Sequence, residues 1–469
     1  MIAIDELAAR IRGGQSGPHV GAIFDFTGVL VEKAAVAAHR SSTPLEQEVA
    51  QWARRTEDEL RELCLQRFRQ EAAGALSHGA WRLVRAHQNR GHTVVIVTSG
   101  LRFDAEPLAR ELDVEHVLGT ELDVEDGVLT GRVKGRPLRG EETLAAVREF
   151  ADREGIELHS SHAYADGDDI GDIALLDAVG SAHPVNPIPA LATLASRRGW
   201  PALEFTTRRR RHDPLPIIRT TAMFGSLLAA GGAGVVAGLL SRDRRRGVDL
   251  ATSVFGRVGP PLGDISINVT GRDNAWSHRP AVFFVNHQST LIDVLVTSSV
   301  IERGFTIVVK AEVRRMRVVG PMFELADVAF LDRQDTSKAI SALLPVVDKL
   351  RSGVSIAMAP EGTRSLSPRI GPFKKGGFHL ARDAAVPIVP IVIRNAGEIM
   401  WRNAMVAQAG TIEVAVHEPV PTAGWTRDDI GPWLAAMRRL YVDTLDDWPG
   451  VQAGQRWSKA IANGSPDGD

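Results

Sequence analysis

The chain is nearly without cysteine: Cys64 is the single one in 469 residues. That excludes an intramolecular disulfide and a zinc cluster built on cysteines, and it suits a reducing cytosol with Cys64 packing as a small apolar side chain. Net charge is also low. With 55 basic against 57 acidic residues the balance is −2 and the pI is near 6.7, so nothing global points to nucleic acid or to a purely acidic partner. No secretory signal is expected, because MIAIDELAARIRGG carries early acidic residues and no long apolar core. No repeat period runs through the chain.

What is present is length enough for two domains and one long uncharged run. The pattern divides the chain into 1–206, a basic linker 207–250, 251–450, and a small polar tail 451–469 that is expected to fray. Within the linker, four arginines (Arg208 to Arg211) precede TTAMFGSLLAAGGAGVVAGLLS, uncharged from Thr220 to Ser241, and Arg242, Arg244, Arg245 and Arg246 follow it. A span of this length is about enough to cross a hydrocarbon core of roughly 30 Å. Basic flanks on both sides disfavour a crossing, and the Gly231–Gly232 pair offers a break into an interfacial hairpin with both ends cytosolic. The arginines would attract anionic lipid headgroups, whereas nucleic-acid binding lacks any accompanying module.

The second domain is organised around NHQSTLID (Asn286 to Asp293) and APEGTRS (Ala359 to Ser365). A histidine with a carboxylate a few residues downstream can be held in one tautomer and act as general base toward a hydroxyl. Glu361, Gly362, Thr363 and Arg364 add a carboxylate, a flexible backbone, a hydroxyl and a guanidinium, a set suited to a phosphorylated acceptor. These blocks resemble the NHxSxxD and FPEGTRS blocks of the lysophosphatidate acyltransferase family. The likeness continues through VVKAEVRRMRVVGPMFELADVAFLDR, ending in Asp332 and Arg333, and GPFKKGGFHLARDAAVPIVPIVI. It implies an α/β glycerolipid acyltransferase domain in which His287 is the base and Asp293 orients it. Arg333, Glu361, Gly362, Thr363 and Arg364 would form the acceptor-phosphate site, with Lys310, Lys374 and Lys375 as secondary candidates. Acyl-CoA or acyl-carrier protein would be the donor, and lysophosphatidate or a related lysophospholipid the acceptor. One departure stands out: five residues separate His287 from Asp293 where the family has four. Thr290 as N-cap with Asp293 at N3 makes a capping box, which would place the extra residue in the loop before the helix.

In the first domain, HVGAIFDF predicts a strand ending at Asp25 with Gly28 in the following turn; residues 33–92 read as a mainly helical insert or cap. HTVVIVTSG makes a second strand ending in Thr98 and Ser99, and AYADGDDIGDIALL a third, ending in Asp166, Asp168, Asp169 and Asp172. Such strand ends converge on magnesium and a phosphoryl group. The ordered set resembles the haloacid dehalogenase superfamily, and its surroundings the phosphoserine-phosphatase branch, implying a Rossmann-like fold with a helical cap. By that resemblance Asp25 is the nucleophile, Ser99 binds phosphate, and Asp25, Asp168 and Asp172 hold Mg2+, with Asp166 a competing register. Two positions depart: Thr27 stands where relatives carry the acid–base Asp, and Thr143 where they carry a lysine, with Lys134 or Arg139 as substitutes to consider. The expectation is a membrane-associated acyltransferase on the cytoplasmic face of the cell membrane, with a degenerate phosphatase-like domain. The alternatives are an active Mg-dependent phosphomonoester hydrolase or a non-catalytic membrane scaffold.

Overall fold

A computed structural model describes residues 2–33, 45–168, 170–205, 213–310, 314–315, 320, 324, 328–331 and 336–448. The chain separates into two compact units, Met1–Arg209 and Arg210–Asp469.

The first unit carries the parallel sheet β3-β2-β1-β6-β7. Its strands are β1 (Gly21–Asp25), β2 (Thr93–Leu101), β3 (His116–Thr120), β6 (His162–Ala165) and β7 (Ser181–Pro184). Runs such as AIF and VVIV are buried because helices cover both faces of a parallel sheet. Asp25, Ser99 and Asp166 consequently fall at the carboxyl ends of adjacent strands, where an α/β sheet opens to ligands. The helical run predicted for 33–92 is divided. Helices Leu45–Ala50 and Glu57–Gln70 pack with the hairpin of β4 (Leu122–Glu125) and β5 (Val128–Val133) around Val49, Trp52, Leu60 and Leu129. Helix His78–Gln88 instead packs on β2 and on the Ile4–Gly13 helix, so it belongs to the main layer and not to the cap. Cys64 is buried in the cap cluster; burial and Asp104 push its thiol well above its ordinary value, so it packs and does not react.

The second unit carries the sheet β11-β10-β12-β9-β13-β14-β8. Its strands are β8 (Ile265–Thr270), β9 (Val282–Val285), β10 (Phe305–Lys310), β11 (Ala329–Leu331), β12 (Ser355–Met358), β13 (Ile388–Ile393) and β14 (Gly410–Val416). Every pairing is parallel except β13 with β14. The central strands VFFV and IVPIVI are buried at every position. β9 lies between β12 and β13, so the loop after β9, which carries His287, sits beside the loop after β12, which carries Glu361. Helix Ile430–Asp446 covers the sheet, and the buried Tyr441 hydroxyl donates to the Phe284 carbonyl at 2.7 Å.

The uncharged run does not break at Gly231–Gly232. Helix Leu215–Ser241 is continuous, Arg242 turns the chain with φ 52°, and helix Arg244–Leu262 returns along it. The turn falls at the arginines because a polar tip solvates the exposed backbone at the helix ends. The helices touch through Gly234 and Gly247: a Cβ on Gly234 would lie 2.5 Å from the Gly247 carbonyl oxygen. The second helix is seated on helix Thr290–Ile301, where a Cβ on Gly256 would meet the Ser298 carbonyl oxygen at 2.5 Å. Leu228, Val235, Val236, Leu239 and Leu240 are exposed on the first helix, the last two at 75% and 83%.

Candidate active sites in the two units

The β9 loop leads directly into the Thr290–Ile301 helix. Its N-cap is Ser289 and not Thr290, so the cap serine follows His287 by two positions, as in the family pattern. The extra residue is therefore taken up inside the first helical turn, and the expected capping box is corrected: Asp293 lies one position beyond N3. From there its Oδ2 accepts from the Ser289 N–H at 3.0 Å and lies 2.7 Å from His287 Nδ1. Asp293 is 6% exposed, and burial raises its carboxyl although His287 opposes that. With Nδ1–H directed at Asp293, the lone pair of His287 rests on Nε2 of a partly exposed side chain.

Three further side chains fix this loop. The buried Asn286 amide donates to the Ile393 carbonyl at 2.8 Å while its Oδ1 accepts from the Ile393 N–H at 2.7 Å, tying the loop to the end of β13. Gln288 donates to the Ile393 and Arg394 carbonyls and accepts from the Gly397 N–H. Glu361 accepts from the His287 N–H at 2.7 Å and from the Gly371 N–H at 3.1 Å. Glu361 is 3% exposed, and burial pushes its carboxyl up to about 7 against those two donors. Glu361, expected at the phosphate site, is placed under the histidine loop, where it holds two backbone N–H groups.

Arg364 is half-buried and donates to the Arg402 carbonyl at 2.7 Å, while Arg402 donates to the Arg364 carbonyl at 3.0 Å. Gly362 has φ 76° at the bend, and Thr363 is exposed. The Ser365 N–H returns to the His287 carbonyl, so the Arg364 segment lies against the histidine loop. Lys374 and Lys375 are exposed. Arg333 and its neighbour Asp332, the arginine run 208–211, the tail 451–469 and the Lys310 side chain lie outside the described residues.

In the first unit, carboxylate oxygens of Asp25, Asp166 and Asp172 lie within 4.8 Å of one another. Asp168 is not in that group. It is exposed and directs its carboxylate to Lys33 at 2.9 Å, so the expected metal set Asp25, Asp168 and Asp172 is corrected to the register with Asp166. The physical reason is position: Asp166 directly follows β6 and is 2% exposed, whereas Asp168 lies two residues further out in the turn. Burial, then Asp172, Asp166 and Asp168, push the Asp25 carboxyl well above its ordinary value, while the Thr27 backbone lowers it. Three hard oxygen donors converging in this way fit a magnesium ion. The Thr27 side-chain oxygen is buried without a hydrogen-bond partner among the described residues. Ser99 is half-buried two residues past the register position of Asp25 on β2, and its carbonyl receives Arg139 Nε at 3.5 Å.

Two family models match the chain: Acyltransferase over residues 266–394, and haloacid dehalogenase-like hydrolase over residues 18–177. An uncharacterized acyltransferase of Schizosaccharomyces pombe is 31% identical over 236 residues, covering 48% of this chain and 84% of that protein. This chain belongs to the acyltransferase family. A 1-acyl-sn-glycerol-3-phosphate acyltransferase of Saccharomyces cerevisiae is 28% identical over 49% of this chain and 77% of its own length. In Mycobacterium tuberculosis a protein whose name reads "Probable phosphatase" is 41% identical over 155 residues, 32% of this chain and 53% of that one. The chain is therefore an enzyme of the acyltransferase class that also carries a haloacid dehalogenase-like hydrolase domain.

The acyltransferase domain presents an oriented imidazole beside an arginine-bearing loop, an arrangement for moving a proton from a hydroxyl next to an anionic group. The bracing roles of Asn286, Gln288 and Glu361 were not read from the sequence, because they depend on which strands become neighbours. One signal was available for two of them: Asn286 and Gln288 flank His287 at alternate positions leaving a strand, and both side chains turn inward.

Proposed function

We propose that the acyltransferase domain esterifies the free hydroxyl of lysophosphatidate, or a closely related lysophospholipid, with a fatty acyl group from acyl-CoA or acyl-carrier protein. The observation that carries this reading is the 2.7 Å pair of His287 Nδ1 and Asp293 Oδ2 beside the Arg364 loop. His287 Nε2 takes the proton as the acceptor oxygen attacks the thioester carbonyl. The C–S bond then breaks, and the departing sulfur receives the proton from the imidazolium, leaving an ester and a free thiol. A thiol has a free pKa of about 8.5, so its departure needs less protonation than that of an alkoxide, and no acyl-enzyme is required. Arg364, and Arg333 by the family resemblance, would bind the acceptor phosphate.

The paired helices Leu215–Ser241 and Arg244–Leu262 would hold the domain on the cytoplasmic face of the membrane. The exposed row from Leu228 to Leu240 is apolar, while the tip carries Arg242, Arg244, Arg245 and Arg246. Inserting that tip through hydrocarbon would cost about 2.5–3.5 kcal/mol per arginine, so the pair lies in the interface with its arginines at headgroup depth. In the first unit, Asp25, Ser99 and the Asp166–Asp172 pair would bind a phosphomonoester with Mg2+, and with Thr27 in place of a carboxylate hydrolysis would be slow.

The test is acyl transfer from labelled acyl-CoA to lysophosphatidate by the full chain in membranes. His287→Ala is expected to abolish transfer while the far-ultraviolet circular dichroism stays unchanged; near-normal transfer would overturn the assignment. Replacing Leu239 and Leu240 together by Asp should release the protein from anionic vesicles in a flotation assay, and retention would refute the interfacial reading.

A further inference from the structure

Four carboxylates, Asp25, Asp166, Asp168 and Asp172, gather at the ends of β1 and β6, and Lys33 is set against them. Its Nζ lies 2.7 Å from Asp166 Oδ2 and 2.9 Å from Asp168 Oδ2. The chain reaches that point through a tight turn after Asp25, in which the Gly28 N–H donates to the Val31 carbonyl at 2.7 Å. Gly28 has φ 92°, and a Cβ there would lie 1.8 Å from Asp166 Oδ2 and 2.9 Å from the Lys33 Cε. Only a residue without a side chain lets the lysine fold back over the turn onto Asp166.

Among the described residues, the two other cations considered for the site make different contacts. Lys134 pairs with Glu121 at 3.2 Å on the surface. Arg139 is exposed and donates from Nε to the Ser99 backbone carbonyl at 3.5 Å. Position 143 is filled by a buried threonine beside Gly171, whose imagined Cβ would lie 3.2 Å from the Thr143 Cβ. A neutral hydroxyl there leaves the acidic site without the charge that a phosphoryl dianion requires.

We propose that Lys33 is the phosphate-binding cation of the first unit, supplying from the segment after β1 the positive charge that position 143 lacks. A lysine suits this role because its ammonium is a point charge on a flexible stem, and 40% exposure of the side chain leaves it room to move. Without phosphate it neutralises Asp166 and Asp168; with phosphate bound it turns one of its three N–H donors to a phosphoryl oxygen. This inference rests on the reading of the first unit as a phosphomonoester-binding domain.

The test measures two affinities by titration calorimetry on the full chain and on Lys33→Met: Mg2+ alone, then inorganic phosphate at saturating Mg2+. Loss of an ammonium beside Asp166 should tighten Mg2+ binding by about threefold or more, since two like charges no longer face each other. Phosphate binding should weaken by about 10- to 100-fold, the share of one charge-assisted hydrogen bond. Lys33→Arg should restore phosphate binding. Opposite signs in the two affinities cannot come from loss of structure, which would lower both, so a joint loss would overturn the proposal. Unchanged phosphate affinity in Lys33→Met would overturn the proposal while leaving the domain a phosphate binder. A natural chain that binds no phosphate in Mg2+ would overturn both readings together.

Discussion

Both candidate sites contain an aspartate, Asp293 buried and Asp25 half-buried, and they surround it oppositely. Asp293 faces an imidazole and a backbone N–H, and the histidine beside it keeps a ring nitrogen for substrate. Asp25 faces other carboxylates, which with burial drive its own carboxyl upward. In the proposed acyl transfer the first arrangement would supply an oriented base. The second brings together carboxylates that would bind a cation beside a phosphoryl group in the proposed reading, with Thr27 where a proton-handling carboxylate would be needed. On the proposed reading, the first unit would keep a binding geometry without the group that turns binding into turnover.

Four experiments press on that difference. The largest expected effect is in the acyltransferase domain: Asp293→Asn should lower acyl transfer by roughly 10³- to 10⁴-fold through the wrong imidazole tautomer. A loss below tenfold would mean Asp293 is only part of the helix start. Next, Thr27→Asp combined with Thr143→Lys in the full chain should raise Mg2+-dependent hydrolysis of a generic phosphomonoester by about 10²-fold or more, the usual worth of general acid–base assistance. Efficient hydrolysis by the natural chain, lost in Asp25→Asn, would erase the contrast and restore two active enzymes.

Glu361→Gln should lower kcat by about 10- to 100-fold, consistent with losing roughly 1–3 kcal/mol of loop bracing, while KM for the acceptor moves little. A rise in KM with kcat intact would return Glu361 to the phosphate pocket.

The fourth compares the units under acid. His87 and His183 of the first unit are buried and His162 is half-buried, and burial holds all three below the ordinary value, His162 at about 4 and His183 at about 3. His87 and His92 share a 2.8 Å contact, His87 meets the Tyr164 hydroxyl, and His92 meets the Gln15 carbonyl, with the Arg90 charge nearby. Because the folded values are depressed, this stability is fully present above about pH 6.5 and is lost as pH falls toward the folded values. At pH 5 His162 and His183 each cost about 2 kcal/mol relative to neutral pH, and His87 adds to this in the same direction. Thermal unfolding followed between pH 7 and 5 should therefore show a first-unit transition that moves down ahead of the second. Coincident shifts would mean the cluster takes up protons without opening.

The sequence announced these strands because they are continuous apolar runs: AIFD, VVIVTS and VFFVNH each contain a buried strand with a candidate site residue at or just past its carboxyl end. It announced less well what depends on a fraction of a turn. Thr290 and Ser289 are both good caps, and only the backbone placement decides for Ser289 and absorbs the extra residue before Asp293. Asp166 and Asp168 differ by two positions in an acidic turn, and burial separates them. Gly231 and Gly232 read as a helix break, yet the intrinsic cost of glycine in a helix, about 1 kcal/mol each, is small against the packing of a second helix along the first.

Asp293 Oδ2 touches both the His287 ring and the N–H of Ser289, the N-cap of the Thr290–Ile301 helix, while Oδ1 is buried without a hydrogen-bond partner among the described residues. One atom thus ties the tautomer of the base to the fraying of a helix end. With His287 as the proposed base, opening that turn would part the aspartate from the imidazole, so warming should reduce acyl transfer in step with hydrogen exchange at the Ser289 amide, well below the temperature at which the sheet itself melts.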